Sequence, residues 1–127
     1  MRTTNQRDVA KHNELGHKGE QLAVEFLTKK GYAIIKQNFR FDRAEVDIIA
    51  LKDDMLVVVE VKARNTNEFG NPQDFLKPKQ INRIIKAVDH YITLNALTYE
   101  VRFDIIAILK DESEYKIEHL KNAFYHF

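Results

Sequence analysis

Two apolar runs rich in β-branched residues, 45–51 and 55–63, stand on either side of a polar break at Lys52, Asp53 and Asp54. No other feature limits the possible folds as much. Runs of this length and composition read as strands, and the Asp53-Asp54 pair is the turn signal between them. A third β-rich run over 32–39 comes just before. The middle of the chain therefore reads as an antiparallel meander.

Both later runs carry charge where charge is costly, because a carboxylate taken out of water loses several kcal/mol unless a partner or a cation meets it. Side chains alternate along a strand. Glu60 and Lys62 thus share a face with Leu56 and Val58, and Asp47 shares one with Glu45, Ile49 and Leu51. A turn centred on Asp53 and Asp54 sets Asp47 directly opposite Glu60, with Cβ atoms roughly 4.5 to 5.5 Å apart. Two carboxylates so placed repel, one pKa rises, and a cation between them or the Lys62 ammonium offsets the charge. Oxygen donors of this kind suit a hard divalent ion such as Mg²⁺. A cross-strand ion-pair cluster on a half-solvated face accounts for the same residues. Register decides whether the acids meet at all: Asp-Asp is not a favoured two-residue turn, and a slip of one residue sets Asp47 opposite Val61 on the other face.

Upstream, Leu15, Gly19, Leu22, Ala23, Phe26 and Leu27 recur at helical spacing and stop at Lys29, Lys30 and Gly31, which predicts a first helix. Glu20 lies at the border of its apolar arc, beside Gly16 and Leu27. Glycine inside a helix costs up to roughly 1 kcal/mol relative to alanine, so Gly16 and Gly19 suggest close backbone approach to a neighbour. Residues 64–78 hold Asn65, Asn67, Gly70, Asn71, Pro72 and Pro78 and read as a long loop. A second helix follows, with Ile81, Ile84, Ile85, Val88 and Ile92 on one face. The run 99–109 reads as a strand whose end, 104–109, is apolar enough to be covered on both faces, and a short strand over 115–120 closes the chain. A strand–helix–strand passage makes the strand after the second helix parallel to one of the meander strands. The expected fold is α/β, in the order αβββαβ with a further strand: a mixed sheet flanked by helices. One domain over 13–127 is expected, behind a flexible arm at 1–12.

Composition excludes several chemistries. The 127 residues include no cysteine, and no pair of the five histidines has the i, i+4 spacing of a helical zinc site. Residues 1–11 lack an apolar core, and no stretch approaches the ~20 apolar residues of a membrane helix, so the cytoplasm is the default compartment. A net charge of +1 offers no global attraction for nucleic acid. The charge is unevenly spread, however: Arg40, Arg43, Lys62, Arg64, Lys77, Lys79, Arg83 and Lys86 fall mid-chain, and Asp111, Glu112, Glu114 and Glu118 near the end.

The segments Gly16-His17-Lys18-Gly19-Glu20, Gly31-Tyr32, Asn38-Phe39-Arg40, Glu45-Val46-Asp47-Ile48-Ile49-Ala50, Val59-Glu60-Val61-Lys62-Ala63-Arg64, Phe69-Gly70 and Arg102-Phe103-Asp104 resemble the YraN family of small bacterial proteins. That family is similar to archaeal Holliday junction resolvases and to other members of the restriction-endonuclease-like, or PD-(D/E)xK, superfamily. The resemblance spans 16–104 and departs at Ala44, where glycine is expected before the Glu45-Val46-Asp47 run. It implies a Mg²⁺- or Mn²⁺-dependent endonuclease that hydrolyses phosphodiester bonds in DNA, branched or damaged DNA being the suggested substrates. Asp47, Glu60 and Lys62 then take the catalytic positions, and Glu20 that of a helix-borne acid. Asp47, Glu60 and the Val61 carbonyl would hold the metal, Lys62 would orient or deprotonate the attacking water, and Glu20 would hold a second ion or a water.

Arg40, Arg43, Arg64, Lys79 and Arg83 are candidates for phosphate contacts, Lys79 because it lies near a helix N-terminus. Phe69, Phe75 and Tyr91 could stack on bases, although packing is the commoner role for such rings. Resolvase-like relatives imply a homodimer. The alternative functions left open are a non-catalytic nucleic-acid-binding module of the same fold and a protein-interaction domain.

Overall fold

The computed structural model describes residues 4–65 and 76–124. A helix α1 (Thr4–Lys29) leads into three strands, β1 (Ala33–Phe41), β2 (Ala44–Lys52) and β3 (Met55–Asn65). Helix α2 (Pro78–Leu94) then precedes β4 (Glu100–Asp111) and β5 (Glu114–Phe124). The α/β order expected from the pattern is present, the final strand being longer than its sequence suggested. The backbone of α1 already begins at Thr4, ahead of the apolar stripe that starts at Leu15. Phe69, Gly70, Phe75 and most of the expected 64–78 loop lie outside the described residues.

The five strands form one sheet in the order β1-β2-β3-β4-β5. All neighbours are antiparallel except β3 and β4, which run parallel. A parallel pair cannot be joined by a tight turn, and the chain between these two contains α2, the crossover expected from the sequence. The two helices cover opposite faces. Ala23 and Leu27 of α1 pack with Ile48, Ala50, Val57, Val59, Ile106 and Ile108; Ile84, Ala87 and Val88 of α2 pack with Ile49, Leu56, Val58, Phe103 and Ile105. Consecutive residues of β3 and β4 thus feed opposite cores, which is why both strands are almost uninterruptedly apolar. Each fully buried aliphatic side chain contributes roughly 1.5 to 3 kcal/mol.

The β2–β3 hairpin takes the two-residue turn at Asp53-Asp54. Asp53 sits at φ 55°, in the left-handed region that a short acidic side chain tolerates. The ladder then runs from Lys52–Met55 to Ile48–Val59, the register that aims Asp47 at Glu60. Ala44, where glycine was expected, has no positive φ, so the backbone there does not call for one.

Helix α1 ends in a Schellman arrangement: Gly31, at φ 89°, donates its N–H to Thr28 O, and Tyr32 N–H reaches Leu27 O. Farther up the helix, the two glycines play different parts. A Cβ on Gly19 would lie 2.9 Å from Ala63 Cβ on β3, whereas one on Gly16 would meet nothing within 4 Å. Gly19 lets the helix touch the sheet; Gly16, contrary to the sequence reading, permits no close approach. Gly19→Ala is therefore expected to destabilise by about 1–2 kcal/mol through overpacking, despite alanine's better helix propensity. Gly16→Ala should instead stabilise by up to ~1 kcal/mol. Urea unfolding of the two variants beside wild type checks the contrast.

Candidate active site

Helix α1, β2, β3 and the start of α2 converge on one end of the sheet, where the regular ladder gives way. One residue beyond the Ile48–Val59 pair the next partners would be Asp47 and Glu60, but side chains take over the backbone's bonds. Val61 N–H donates to Asp47 Oδ2 at 2.8 Å, and Asp47 N–H donates to Glu60 Oε1 at 3.4 Å. The ladder of β1 on β2 is interrupted at the same point: Gln37 pairs with Ile48 and Phe39 with Val46, skipping Asn38, which sits at φ 53°. Strand alternation breaks there too, since Val46 joins the same core as Ile49 while Ile48 faces the other. The distortion opens a gap, and two carboxylates fill it.

Glu60 is 2% exposed and Asp47 half-buried. Burial raises the Glu60 pKa well above the usual carboxylate range, and the Asp47 charge raises it further. Asp47 is also raised by burial, against the opposing pull of the Val61 N–H, a hydrogen bond with Glu60, and Lys62. Glu60 is thus the acid driven hardest toward its neutral form. Lys62 lowers both pKa values, yet no carboxylate forms an ion pair with it among the described residues. Glu20 approaches from α1, on the other side of the sheet. Burial raises its pKa, followed by the charges of Asp47 and Glu45, with His17 opposing. Its neighbour Gly19 is where α1 comes against Ala63 of β3.

Asp47, Glu60, Val61 and Lys62 line a cavity of about 590 Å³ whose walls also carry four further cations, Arg43 from the β1–β2 turn and Lys77, Lys79 and Arg83 around the start of α2, with Glu45 as a third acid. Of the residues expected to meet phosphate, Arg43, Lys79 and Arg83 line it. Arg40 and Arg64 do not: Arg40 pairs with Glu45 at 3.5 Å on the surface, and Arg64 turns back to Ala63 O at 2.8 Å. Lys77 and Gln80, which line the cavity, were not singled out as site residues from sequence. Their signal was Pro78, which fixes the start of α2; that end carries no side-chain cap and no acid in its first turn, leaving it favourable to an anion. Tyr91 packs edge-on against Phe39 at 5.1 Å and belongs to the core.

Among the described residues, no three histidine, aspartate or glutamate side chains converge as a metal site by themselves. An ion here would rest on two carboxylates completed by backbone and water oxygens. A buried and a half-buried hard-oxygen donor, both with raised pKa values and neither ion-paired among the described residues, fit such an ion, since a divalent charge removes the repulsion that now favours a proton.

A second polar cluster, centred on Asp104, behaves in the opposite way. Asp104 is fully buried, accepts from Arg102 Nε at 2.9 Å and from Asn122 N–H at 2.9 Å, and lies 2.7 Å from His119 Nε2. Arg102 also donates to Tyr32 Oη at 2.8 Å. Burial pushes the Asp104 pKa up, but the bonds from His119, Arg102 and Asn122 outweigh it and the net shift is downward. Both carboxylate oxygens of Asp104 are met by groups of the fold itself.

The uncharacterised protein family UPF0102 has a family model that matches residues 19–108 of the chain. The chain is 56% identical over 119 residues to a UPF0102 protein of Flavobacterium psychrophilum and 57% identical over 119 residues to one of Christiangramia forsetii; each match covers 94% of this chain and the whole relative. A UPF0102 protein of Bacteroides fragilis is 43% identical over 117 residues, covering 92% of this chain and 97% of the relative.

The two clusters predict opposite responses. With chelator present, the raised Glu60 and Asp47 values mean that the folded chain binds more protons than the unfolded one above the ordinary carboxylate pKa of about 4. Stability should therefore fall as pH rises from there through the folded values, and Glu60→Gln should flatten that slope and be the more stable protein at neutral pH. Asp104 contributes stability above its unfolded pKa that is lost as pH drops through its lowered folded value. Asp104→Asn strands Arg102, whose side chain is 19% exposed, and should cost about 3 kcal/mol, the low end for breaking a buried pair. Urea unfolding across pH 3–8 reads out both.

Proposed function

The chain belongs to the UPF0102 (YraN) family, and from that premise we propose that it is a divalent-metal-dependent nuclease, an endonuclease hydrolysing phosphodiester bonds in DNA. The observation that carries this reading is that Asp47 and Glu60 meet at the end of the β2–β3 ladder inside a cavity that Arg43, Lys62, Lys77, Lys79 and Arg83 also line. A pure nucleic-acid binder gains nothing from two acids facing a polyanion. A hydrolase that needs Mg²⁺ or Mn²⁺ does.

Asp47, Glu60 and the Val61 carbonyl are the groups that would hold the ion. Bound there, it would supply Lewis acidity, polarising a phosphate and making a nearby water more acidic. The chain's own residues do the rest. Val61 N–H anchors Asp47 Oδ2, leaving the second Asp47 oxygen uncommitted to it. Lys62 shares the Glu60 face and has no carboxylate partner among the described residues, so its ammonium is available to orient the attacking water and to stabilise charge developing on the phosphate. Arg43, Lys79, Arg83 and the uncapped start of α2 present donors to the phosphate oxygens. Glu20 stands close enough to feel Asp47 and is assigned a supporting role, holding a water or a second ion.

The test is a cleavage screen on duplex, single-stranded and four-way-junction DNA with Mg²⁺ or Mn²⁺. Wild type should cut at least one of these and stop cutting in EDTA. Asp47→Asn, Glu60→Gln and Lys62→Ala should each lose activity by on the order of 100-fold or more while still binding. Variants that cut like wild type would overturn the reading; binding without cutting by every protein, wild type included, would favour a non-catalytic nucleic-acid-binding module.

A further inference from the structure

A strand of nucleic acid is far longer than the carboxylate cavity, and Asp47, Glu60 and Glu45 repel it. Affinity must come from cations beside them. Next to the first cavity lies a second, of about 300 Å³, lined by Phe41, Asp42, Arg43, Ala44, Arg83 and Lys86. Arg43, Ala44 and Arg83 belong to both, so the two adjoin along a shared wall.

The geometry of α2 explains why they adjoin. Lys79, Arg83 and Lys86 fall at i, i+4 and i+7, one stripe of the helix, opposite the apolar residues that meet the sheet. The stripe covers about 10 Å at 1.5 Å per residue, the axial rise of roughly three nucleotides. All three side chains are exposed, and neither they nor Arg43 form an ion pair among the described residues. Asp42, at the hairpin tip, is the one acid in the second cavity's wall. At the far end the Phe41 and His90 rings stack at 4.0 Å and 12°, which fixes the β1–β2 hairpin against α2 and holds the two walls apart.

We propose that the two cavities form one groove in which a nucleic-acid strand runs along the N-terminal half of α2. The scissile phosphate lies at Asp47 and Glu60, and a flanking phosphate is held by Arg43, Arg83 and Lys86. This rests on the nuclease reading above and extends it by a phosphate subsite, with Lys86 as the residue that belongs to the extension alone.

The test measures binding, not cutting. Anisotropy of a fluorescent DNA oligonucleotide is followed in EDTA over a range of salt concentrations, for wild type, Lys86→Ala, Lys86→Glu and Lys116→Glu. Lys116 is exposed on β5 and lines neither cavity, so it controls for net charge. Lys86→Ala should weaken binding several-fold and lower the salt slope by about one; Lys86→Glu should weaken it tenfold or more. Lys116→Glu should bind like wild type. Equal losses from Lys86→Glu and Lys116→Glu would overturn the groove while leaving the nuclease reading to its own cleavage test. No binding by wild type would sink both. Binding that depends on Lys86 in a protein that never cuts would keep the groove and remove the nuclease.

Discussion

Two hydrogen bonds from backbone N–H groups to carboxylates decide the architecture of this chain's functional end. A β-ladder normally satisfies each N–H with a carbonyl of the neighbouring strand, and an unpaired buried N–H is expensive. At the end of β2 and β3 the Asp47 and Glu60 side chains take that duty, so the strands can part without leaving donors unmet. Parting is what admits the cavity. The same bonds fix the carboxylates in place before any ligand arrives, and they do so with the very groups a ligand would use.

This arrangement is costly by itself. Two acids close together and out of water raise each other's pKa, and the nearest cation, Lys62, lowers both values without pairing with either. Unfavourable placements of this kind persist where something outside the chain relieves them. Around them stand Arg43, Lys77, Lys79 and Arg83, so that a chain with a net charge of +1 concentrates both signs at one end of its sheet. A cation for the acids and an anion for the bases would satisfy both at once, and a metal ion with a phosphate is such a combination.

Much of this could be read from the sequence, and for a physical reason. With only two residues between Lys52 and Met55, the turn has little freedom, and period-two alternation carries its register directly to Asp47 and Glu60. Gly19 was legible because glycine in a helix has a cost that needs a cause; the same inference failed at Gly16, where the helix face meets nothing. What could not be read depended on contacts distant along the chain. Arg102 and Asp104 share a strand face two residues apart, but the rest of the Asp104 cluster is distant, Tyr32 just before β1 and His119 and Asn122 from β5, and no local pattern joins these to it. The break in alternation between Val46 and Ile48 was hidden for a similar reason: it lies across from Asn38, at φ 53° on the neighbouring strand. Arg40 and Arg64 carry the right charge, but side-chain direction, which sequence does not give, turns them elsewhere.

Asp104 and Glu60 deserve comparison because they start from the same condition. Both are carboxylates buried within apolar strands of one sheet, β4 and β3, and burial pushes both pKa values up. Around Asp104 the fold supplies a guanidinium, a histidine ring and a backbone N–H, and the net shift is downward. Around Glu60 it supplies another carboxylate, one long N–H bond and an ammonium that does not pair, and the shift stays strongly upward. A chain able to neutralise one buried acid so fully has the means to neutralise the other, for instance by letting Lys62 or Arg43 close onto it. That it leaves Glu60 in need while setting around the same cavity cations that form no ion pair among the described residues argues that the deficit belongs to the site's work and not to the packing of the sheet.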